Sequence, residues 1–177
     1  MPALFDSPEG KEKIAAWRGT IKLIATDVDG TLTIEGASVP KTVRGTLAPE
    51  AYATLTRLAA RGVQVALVSG RPLATIEGLG MYLGFVDRER TELGCPLIAE
   101  NGAVYKFGGG LTKLATREPA MREVEAMQRD GLIPRDGCYA YDNHLRYCDV
   151  GIDSSVIDPV AVAARLAQRP ELGLKAF

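Results

Sequence analysis

Two aspartates two positions apart, Asp27 and Asp29, are the side chains of this protein best suited to chemistry. They lie at the end of an apolar run, and Gly30 and the hydroxyls of Thr31 and Thr33 follow them. A strand that ends in an acidic pair and a glycine turn holds two carboxylates at the edge of a sheet. There they can bind a divalent cation and attack an electrophile. A plain turn is the alternative interpretation, because Asp and Gly are common at strand ends.

The elements that must position this pair alternate between strands and helices. Apolar runs and helical spacing predict strands over 21–28, 63–68 and 96–99, with helices over 49–62 and 72–83 between them. A short helix over 7–17 is expected to precede the first strand. This order predicts an α/β fold, in which right-handed crossovers build a parallel sheet with helices on both faces.

Polar residues follow each of the three expected strands. In parallel sheets of this kind, active sites lie beyond the carboxyl ends of the strands. Asp27 and Asp29 follow the first strand, Ser69 follows the second, and Glu100 with Asn101 follows the third. Their position on one edge of the sheet predicts a single functional site. The hydroxyl of Ser69 could serve that site, cap the next helix, or do both.

The second half of the chain has a different pattern of residues. Runs at 104–107 and 111–114 flank three glycines and are typical of a hairpin. Beyond residue 115 we expect an α+β module packed over the first half. Its predicted elements are a helix over 118–129, strands over 139–142 and 145–152, a helix from Asp158 to about 168, and a strand over 172–177.

Composition excludes several classes of protein. The 177 residues carry a net charge of −1, so no global basic field favours nucleic acid or an anionic membrane as a partner. The apolar stretches are far short of a membrane span, and the N-terminal residues lack a secretory pattern. Cys95, Cys138 and Cys148 are irregularly spaced, which argues against a disulfide framework and favours a reducing cytoplasm. The oligomeric state is left open.

Three motifs together resemble the haloacid dehalogenase superfamily of phosphotransferases. They read DVDGTLT at 27–33, VSGRP at 68–72 and IAENGAVY at 98–105. The chain is similar to the branch that carries a large cap inserted after the third strand, which includes Cof-type sugar phosphatases, archaeal phosphoglycolate phosphatases and sucrose-phosphate phosphatases. The resemblance implies an N-terminal extension (1–20), an incomplete Rossmann-like core (21–115) and an incomplete α/β cap (116–177).

The resemblance also implies roles for individual residues and a Mg²⁺ cofactor. Asp27 would be the nucleophile that forms an aspartyl-phosphate, with one oxygen on Mg²⁺. Asp29 would protonate the leaving group and then activate water, and its main-chain carbonyl would be a second magnesium ligand. Ser69 would donate a hydrogen bond to the transferring phosphoryl group.

Further candidates for binding substrate or phosphate lie in the same turns and in the cap. Gly70 and Arg71 share the turn of Ser69, and Arg71 is either a phosphate ligand or a solvated surface arginine. Asn101 either lines the pocket or forms a turn. The planar fork of Arg146 could bind a substrate carboxylate or phosphate, whereas His144 is expected to be an exposed turn residue.

The sequence departs from the family pattern at its end. Members carry a Lys and an acidic motif after the cap; neither is found before Phe177, and Lys175 is a weak substitute. We therefore expect a truncated Mg²⁺-dependent phosphatase for a small phosphorylated metabolite, such as phosphoglycolate or a sugar phosphate, that is weak or inactive by itself. A phosphomutase and a non-catalytic fragment or binding protein are the alternatives. A receiver domain is a distant rival.

Overall fold

The computed structural model describes residues 8–16, 20–33, 49–85 and 95–174. In chain order, the helices and strands are α1 (Pro8–Ala16), β1 (Leu23–Asp27), α2 (Glu50–Ala59), β2 (Gln64–Val68), α3 (Leu73–Tyr82), β3 (Leu97–Ala99), β4 (Val104–Phe107), β5 (Gly110–Lys113), α4 (Glu118–Arg129) and α5 (Pro159–Ala167). Short 3₁₀ turns lie at Glu100–Gly102, Asn143–Leu145 and Pro170–Leu172. Every helix and strand expected before residue 130 is confirmed, with ends that differ from the prediction by at most three residues.

The strands form one sheet in the order β1-β2-β3-β4-β5. The first three are parallel, and Asp27, Val68 and Ile98 lie side by side across them. The last two form the expected antiparallel hairpin, whose turn uses two glycines at positive φ, Gly108 and Gly109. The fold is therefore α/β, and the carboxyl ends of three strands meet at one edge.

The first hydrophobic core lies on one face of this sheet. Buried residues of β2 and β3, including Leu67 and Leu97, pack there against Leu55 of α2 and Ile76 of α3. Both crossovers step in the same direction across the sheet, so right-handed connections place both helices on the same face. On the opposite face the Leu23 side chain is 50% exposed. The packing of helices on one face is thus observed, and helices on the second face stay a prediction.

A second core lies in the C-terminal half. Its buried members come from α4, α5 and the segment between them: Val124, Met127, Ile133, Cys138 and Val162. α5 begins as the sequence predicts, because the Asp158 carboxylate accepts hydrogen bonds from the main-chain N–H groups of Val160 and Ala161. The domain boundary at residue 115 stays a prediction.

The two strands expected over 139–152 are wrong. Between these residues the structure has a 3₁₀ turn and one isolated bridge, Tyr139 to Ile152. Three main-chain N–H groups, from Tyr147 to Asp149, instead bind the carboxylate of Glu100, so they are not available to a partner strand.

The C-terminal strand is also not observed, since Pro170–Leu172 is a 3₁₀ turn and residues 173–174 are irregular. The rest of the 172–177 segment, which includes Lys175, lies outside the described residues. None of the helices in the described part of the chain is long and apolar enough to cross a membrane.

Candidate functional site

The turn after β1 is built around the main-chain carbonyl of Val28. It accepts hydrogen bonds from the N–H groups of Leu32 (2.9 Å) and Thr33 (2.8 Å), and from the Thr33 hydroxyl (3.2 Å). Gly30 adopts φ +76°, which a side chain would disfavour. The motif therefore folds into a compact loop that holds Asp27 and Asp29 at the sheet edge.

Asp27 is the last residue of β1 and its side chain is exposed. One carboxylate oxygen accepts a hydrogen bond of 2.8 Å from the N–H of Val28, which fixes the orientation of the group. This contact leaves the second oxygen of the carboxylate directed away from the Val28 N–H. An oriented and exposed carboxylate is what attack on an electrophile requires.

Asp29 is bound by two residues of the turn that follows β2. The Arg71 guanidinium donates from Nε to one carboxylate oxygen (2.8 Å) and from Nη2 to the other (2.5 Å). The Ser69 hydroxyl donates a longer bond of 3.4 Å to the same carboxylate and accepts one of 3.1 Å from the Arg71 N–H. Ser69 therefore stabilises the turn that precedes α3 and faces the acidic pair, but it does not cap α3, whose N-terminus has no side-chain cap hydrogen bond.

The charge of Asp29 dominates the electrostatics of Arg71. Their hydrogen bonds raise the pKa of Arg71 and outweigh the effect of burial, which lowers it. Tyr52 of α2 lies within electrostatic range of Arg71, and burial raises the pKa of its phenol. The Tyr52 hydroxyl is buried and has no hydrogen-bond partner among the described residues. The Asp29–Arg71 pair therefore has a buried phenol within electrostatic range.

Asn101 packs directly against Gly70. A Cβ added at Gly70 would lie 2.8 Å from the Asn101 side-chain oxygen, so the turn allows this approach only without a side chain. The N–H of Asn101 donates a long bond of 3.4 Å to the Ser69 carbonyl, and its backbone has a positive φ of 56°. Asn101 is thus a turn residue that also lies at the site, so its two expected roles are not exclusive.

Arg146 reaches the same edge from the C-terminal half. Its Nη1 donates to the Gly70 carbonyl (3.1 Å) and to Asp149 (2.8 and 2.9 Å), and Nη2 donates to Asp142 (3.1 Å). Burial lowers the pKa of Arg146, but the bonds to these two carboxylates raise it more. The guanidinium therefore lies over Gly70 and is shared between two acidic side chains. His144 is exposed, as expected.

Mg²⁺ prefers oxygen ligands and retains several waters, and two donors here have that chemistry. They are the exposed carboxylate of Asp27 and the main-chain carbonyl of Asp29, whose own side chain is occupied by Arg71. No cluster of three or more potential metal-ligating side chains occurs within the described ranges. The donor set therefore suits a cation that is otherwise held by water and a phosphate.

Several residues that contact the site at this edge of the sheet were not predicted from the sequence. Asp142 and Asp149, which bind Arg146, are not among the predicted site residues. Tyr52 is also not among the predicted site residues. Glu100 was noted as a polar residue at a strand end, but its contacts with residues 147–149 lie 47 to 49 positions away and leave no local signal.

A family model described as haloacid dehalogenase-like hydrolase matches residues 24–115, just over half of the chain. This range contains the acidic pair, the Ser69–Arg71 turn and Asn101. The chain therefore belongs to the haloacid dehalogenase-like hydrolase family.

The chain is similar to phosphoglycolate phosphatases from two archaea. It is 40% identical to that of Metallosphaera sedula over 133 residues, which are 74% of this chain and 50% of that protein. It is 27% identical to that of Methanospirillum hungatei over 135 residues, which are 75% of this chain and 51% of that protein. The chain thus spans about half the length of these curated relatives.

Two solved structures share its fold. A Thermoplasma acidophilum protein superposes with a TM-score of 0.66 at 23% identity, covering 89% of this chain and 60% of that one. A haloacid dehalogenase-like hydrolase from Bacteroides thetaiotaomicron gives a TM-score of 0.56 at 19% identity, covering 89% and 67% respectively. At these identities the likeness concerns the fold.

Proposed function

We propose that this protein is a Mg²⁺-dependent phosphatase that hydrolyses a small phosphorylated metabolite through an aspartyl-phosphate. The observation that carries the proposal is the meeting of Asp27, Asp29 and the Ser69–Arg71 turn at one sheet edge, with Asp29 bound by both Ser69 and Arg71. A nucleophilic carboxylate and a second carboxylate bound by donors suit phosphoryl transfer, which depends on positioning and charge neutralisation.

In the proposed reaction, a carboxylate oxygen of Asp27 attacks phosphorus and the bond to the ester oxygen breaks. Asp29 gives a proton to that oxygen. In the second step Asp29 takes a proton from the water that attacks phosphorus, the bond to the Asp27 oxygen breaks, and inorganic phosphate leaves. Because Arg71 binds both oxygens of Asp29 in this structure, that contact must loosen before Asp29 can carry the proton.

The remaining groups offset negative charge on the transferring phosphoryl group. When bound between Asp27 and the Asp29 carbonyl, Mg²⁺ would supply positive charge to the phosphoryl oxygens. The Ser69 hydroxyl and the Arg71 guanidinium lie on the side of the second strand and would donate to the same oxygens once Arg71 leaves Asp29.

For the substrate, phosphoglycolate is favoured by the similarity to two phosphoglycolate phosphatases. This molecule carries a phosphate and a carboxylate, and two arginines are available at the Gly70 turn: Arg71 follows Gly70 and binds Asp29, and Arg146 donates to the Gly70 carbonyl. A sugar phosphate is the alternative substrate. The cytoplasmic location and the absence of nucleic-acid and membrane partners stay predictions from composition.

The proposal is tested by phosphate release from phosphoglycolate and from a sugar phosphate, each with Mg²⁺ and with EDTA. Asp27→Asn removes the nucleophile but keeps its shape, and Asp136→Asn changes an exposed aspartate outside the site as a matched control. We expect turnover to require Mg²⁺ and Asp27, and to be unaffected by the control. Turnover that survives Asp27→Asn would disprove the mechanism.

Weak turnover by the 177-residue chain is expected, so a second readout is independent of rate. Beryllium fluoride with Mg²⁺ mimics an aspartyl-phosphate and should shift the NMR signal of the Val28 amide, which binds the Asp27 carboxylate. A shift in the wild type but not in Asp27→Asn supports the nucleophile. No shift in either would favour a binding protein, and transfer of phosphate to a second sugar would favour a phosphomutase.

A further inference from the structure

Glu100 is a buried carboxylate to which no role has yet been given. It lies between β3 and β4, and its side chain is 1% exposed. The carboxylate accepts hydrogen bonds from three successive main-chain N–H groups, those of Tyr147 (2.9 Å), Cys148 (2.7 Å) and Asp149 (3.2 Å). A buried charge is tolerated when its oxygens are satisfied in this way. One side chain of the core therefore holds the loop 146–149 of the C-terminal half.

The main chain of Glu100 is tied to the opposite side, the turn that follows β2. Its N–H donates to the Arg71 carbonyl (3.1 Å), and the next N–H, that of Asn101, donates to the Ser69 carbonyl. Glu100 therefore connects the Ser69–Arg71 turn to the loop 146–149 through a single residue.

The backbone of Glu100 adopts φ +51°, a conformation that a glutamate rarely takes. Such a conformation costs free energy and persists where the surroundings require it, often at functional sites. The conformation directs the main chain to Arg71 while the carboxylate reaches the loop.

The loop held by Glu100 carries Arg146, whose Nη1 lies 3.1 Å from the Gly70 carbonyl. Arg146 immediately precedes the three N–H donors, so a displacement of those donors would move its main chain directly. Asp149 is both one of those donors and a partner of the Arg146 side chain. The position of this guanidinium over the turn is thus coupled to the Glu100 carboxylate.

We propose that Glu100 is a positioning residue that fastens the loop 146–149 to the Ser69–Arg71 turn and so sets where Arg146 meets the phosphorylated substrate. The effect on substrate rests on the proposed function, whereas the fastening of the loop does not. The two can therefore be tested apart.

The attachment of the loop 146–149 to the Glu100 carboxylate is tested by amide hydrogen exchange on the full chain. Glu100→Gln keeps the size of the side chain and removes its charge, and Glu100→Asp keeps the charge on a shorter chain. Glu123→Gln is the matched control, because Glu123 is also a buried carboxylate, 3% exposed, but it pairs with arginines in the second core.

In Glu100→Gln we expect exchange at Tyr147, Cys148 and Asp149 to accelerate about tenfold or more, because a hydrogen bond to a charged group is lost. The amide of Leu67 in β2 should keep its protection. Glu100→Asp should retain more protection at the three amides than Glu100→Gln, and Glu123→Gln should leave them unchanged. Unchanged exchange at these amides in a folded Glu100→Gln protein overturns the proposal.

If Glu100→Gln does not fold, so that Leu67 loses protection as well, Glu100→Asp decides. A selective acceleration at residues 147–149 supports the fastening, and wild-type exchange there overturns it.

The consequence for the site is tested with inorganic phosphate and Mg²⁺ as the probe, followed by the NMR signals of the Gly70 amide and the Arg146 Nε–H. In the wild type both should shift. In Glu100→Gln the Gly70 shift should persist while the Arg146 shift falls by more than half. If phosphate shifts neither signal in the wild type, the proposed function fails and the exchange result still stands. Equal Arg146 shifts in both proteins overturn the positioning role.

Discussion

Replacement of either member of the Asp29–Arg71 pair should reveal a coupling free energy between them. The variants are Asp29→Asn, Arg71→Gln and the double substitution. Single replacements mix the loss of the pair with other changes, among them relief of repulsion between Asp29 and Asp27. A double-mutant cycle isolates the contribution of the pair.

The magnitude follows from the geometry of the pair. Nε and Nη2 of Arg71 lie 2.8 and 2.5 Å from the two carboxylate oxygens, and the side chains are 17% and 30% exposed. Opposite charges about 4 Å apart attract by about 1 kcal/mol in water and about 4 kcal/mol at an effective dielectric constant of about 20. Because the pair is partly exposed, its attraction lies between these limits and is reduced further by solvent screening. We therefore expect a coupling free energy of about 1–2 kcal/mol. This exceeds the roughly 0.2–1 kcal/mol of fully exposed pairs.

The assay is urea unfolding of the four proteins at neutral pH, followed by far-UV circular dichroism. Arg71→Lys is an informative control, because lysine keeps the charge but cannot donate from a planar fork; it should retain less than half of the coupling. The coupling should also decrease in about 1 M salt. A coupling below about 0.5 kcal/mol, within the usual additivity error, would refute the inference that Arg71 holds Asp29 in the folded protein.

Three further predictions concern other positions. Burial raises the pKa of the Cys95 thiol from 9.0 to about 11. Between these pH values the unfolded thiol loses its proton while the folded one keeps it, so stability falls as pH rises, by roughly 3 kcal/mol in total. Cys95→Ala should remove this contribution from the pH dependence of urea unfolding. Asp158→Ala removes the cap bond to the Val160 N–H and should cost about 1 kcal/mol in thermal unfolding. Gly70→Ala places a methyl 2.8 Å from the Asn101 side-chain oxygen and should cost about 1 kcal/mol, whereas a second substitution, Asn101→Ala, should recover part of that stability. Additive costs in that last pair would count against the contact.

The amino-acid sequence by itself determined most of the sheet and the local form of the site. Apolar runs predicted β1, β2 and β3, and helical spacing predicted α2 and α3, because these patterns repeat over a few residues and reflect burial of one face. The Asp27–Thr33 motif and the Ser69 turn were found for the same reason: their hydrogen bonds join residues that are close in sequence.

Local patterns failed in the segment 139–152, where strands were predicted. A strand requires a partner for its main-chain N–H groups. Those of Tyr147, Cys148 and Asp149 are bound by Glu100, which is 47 to 49 residues away. A side chain that far away in sequence can bind these N–H groups, and the local sequence gives no sign of it.

The tertiary structure decided which candidate side chains meet. The sequence left Arg71 as either a phosphate ligand or a solvated residue, and the fold places it on Asp29, 42 residues away. It likewise left Arg146 open, and the fold places it over Gly70, 76 residues away. Residue type and spacing specify the chemistry that a side chain can perform. Its contacts depend on where the strand crossovers and the loop 146–149 lie in the folded protein. Those positions are set by packing and by hydrogen bonds between distant residues, which the order of residues along the chain does not reveal.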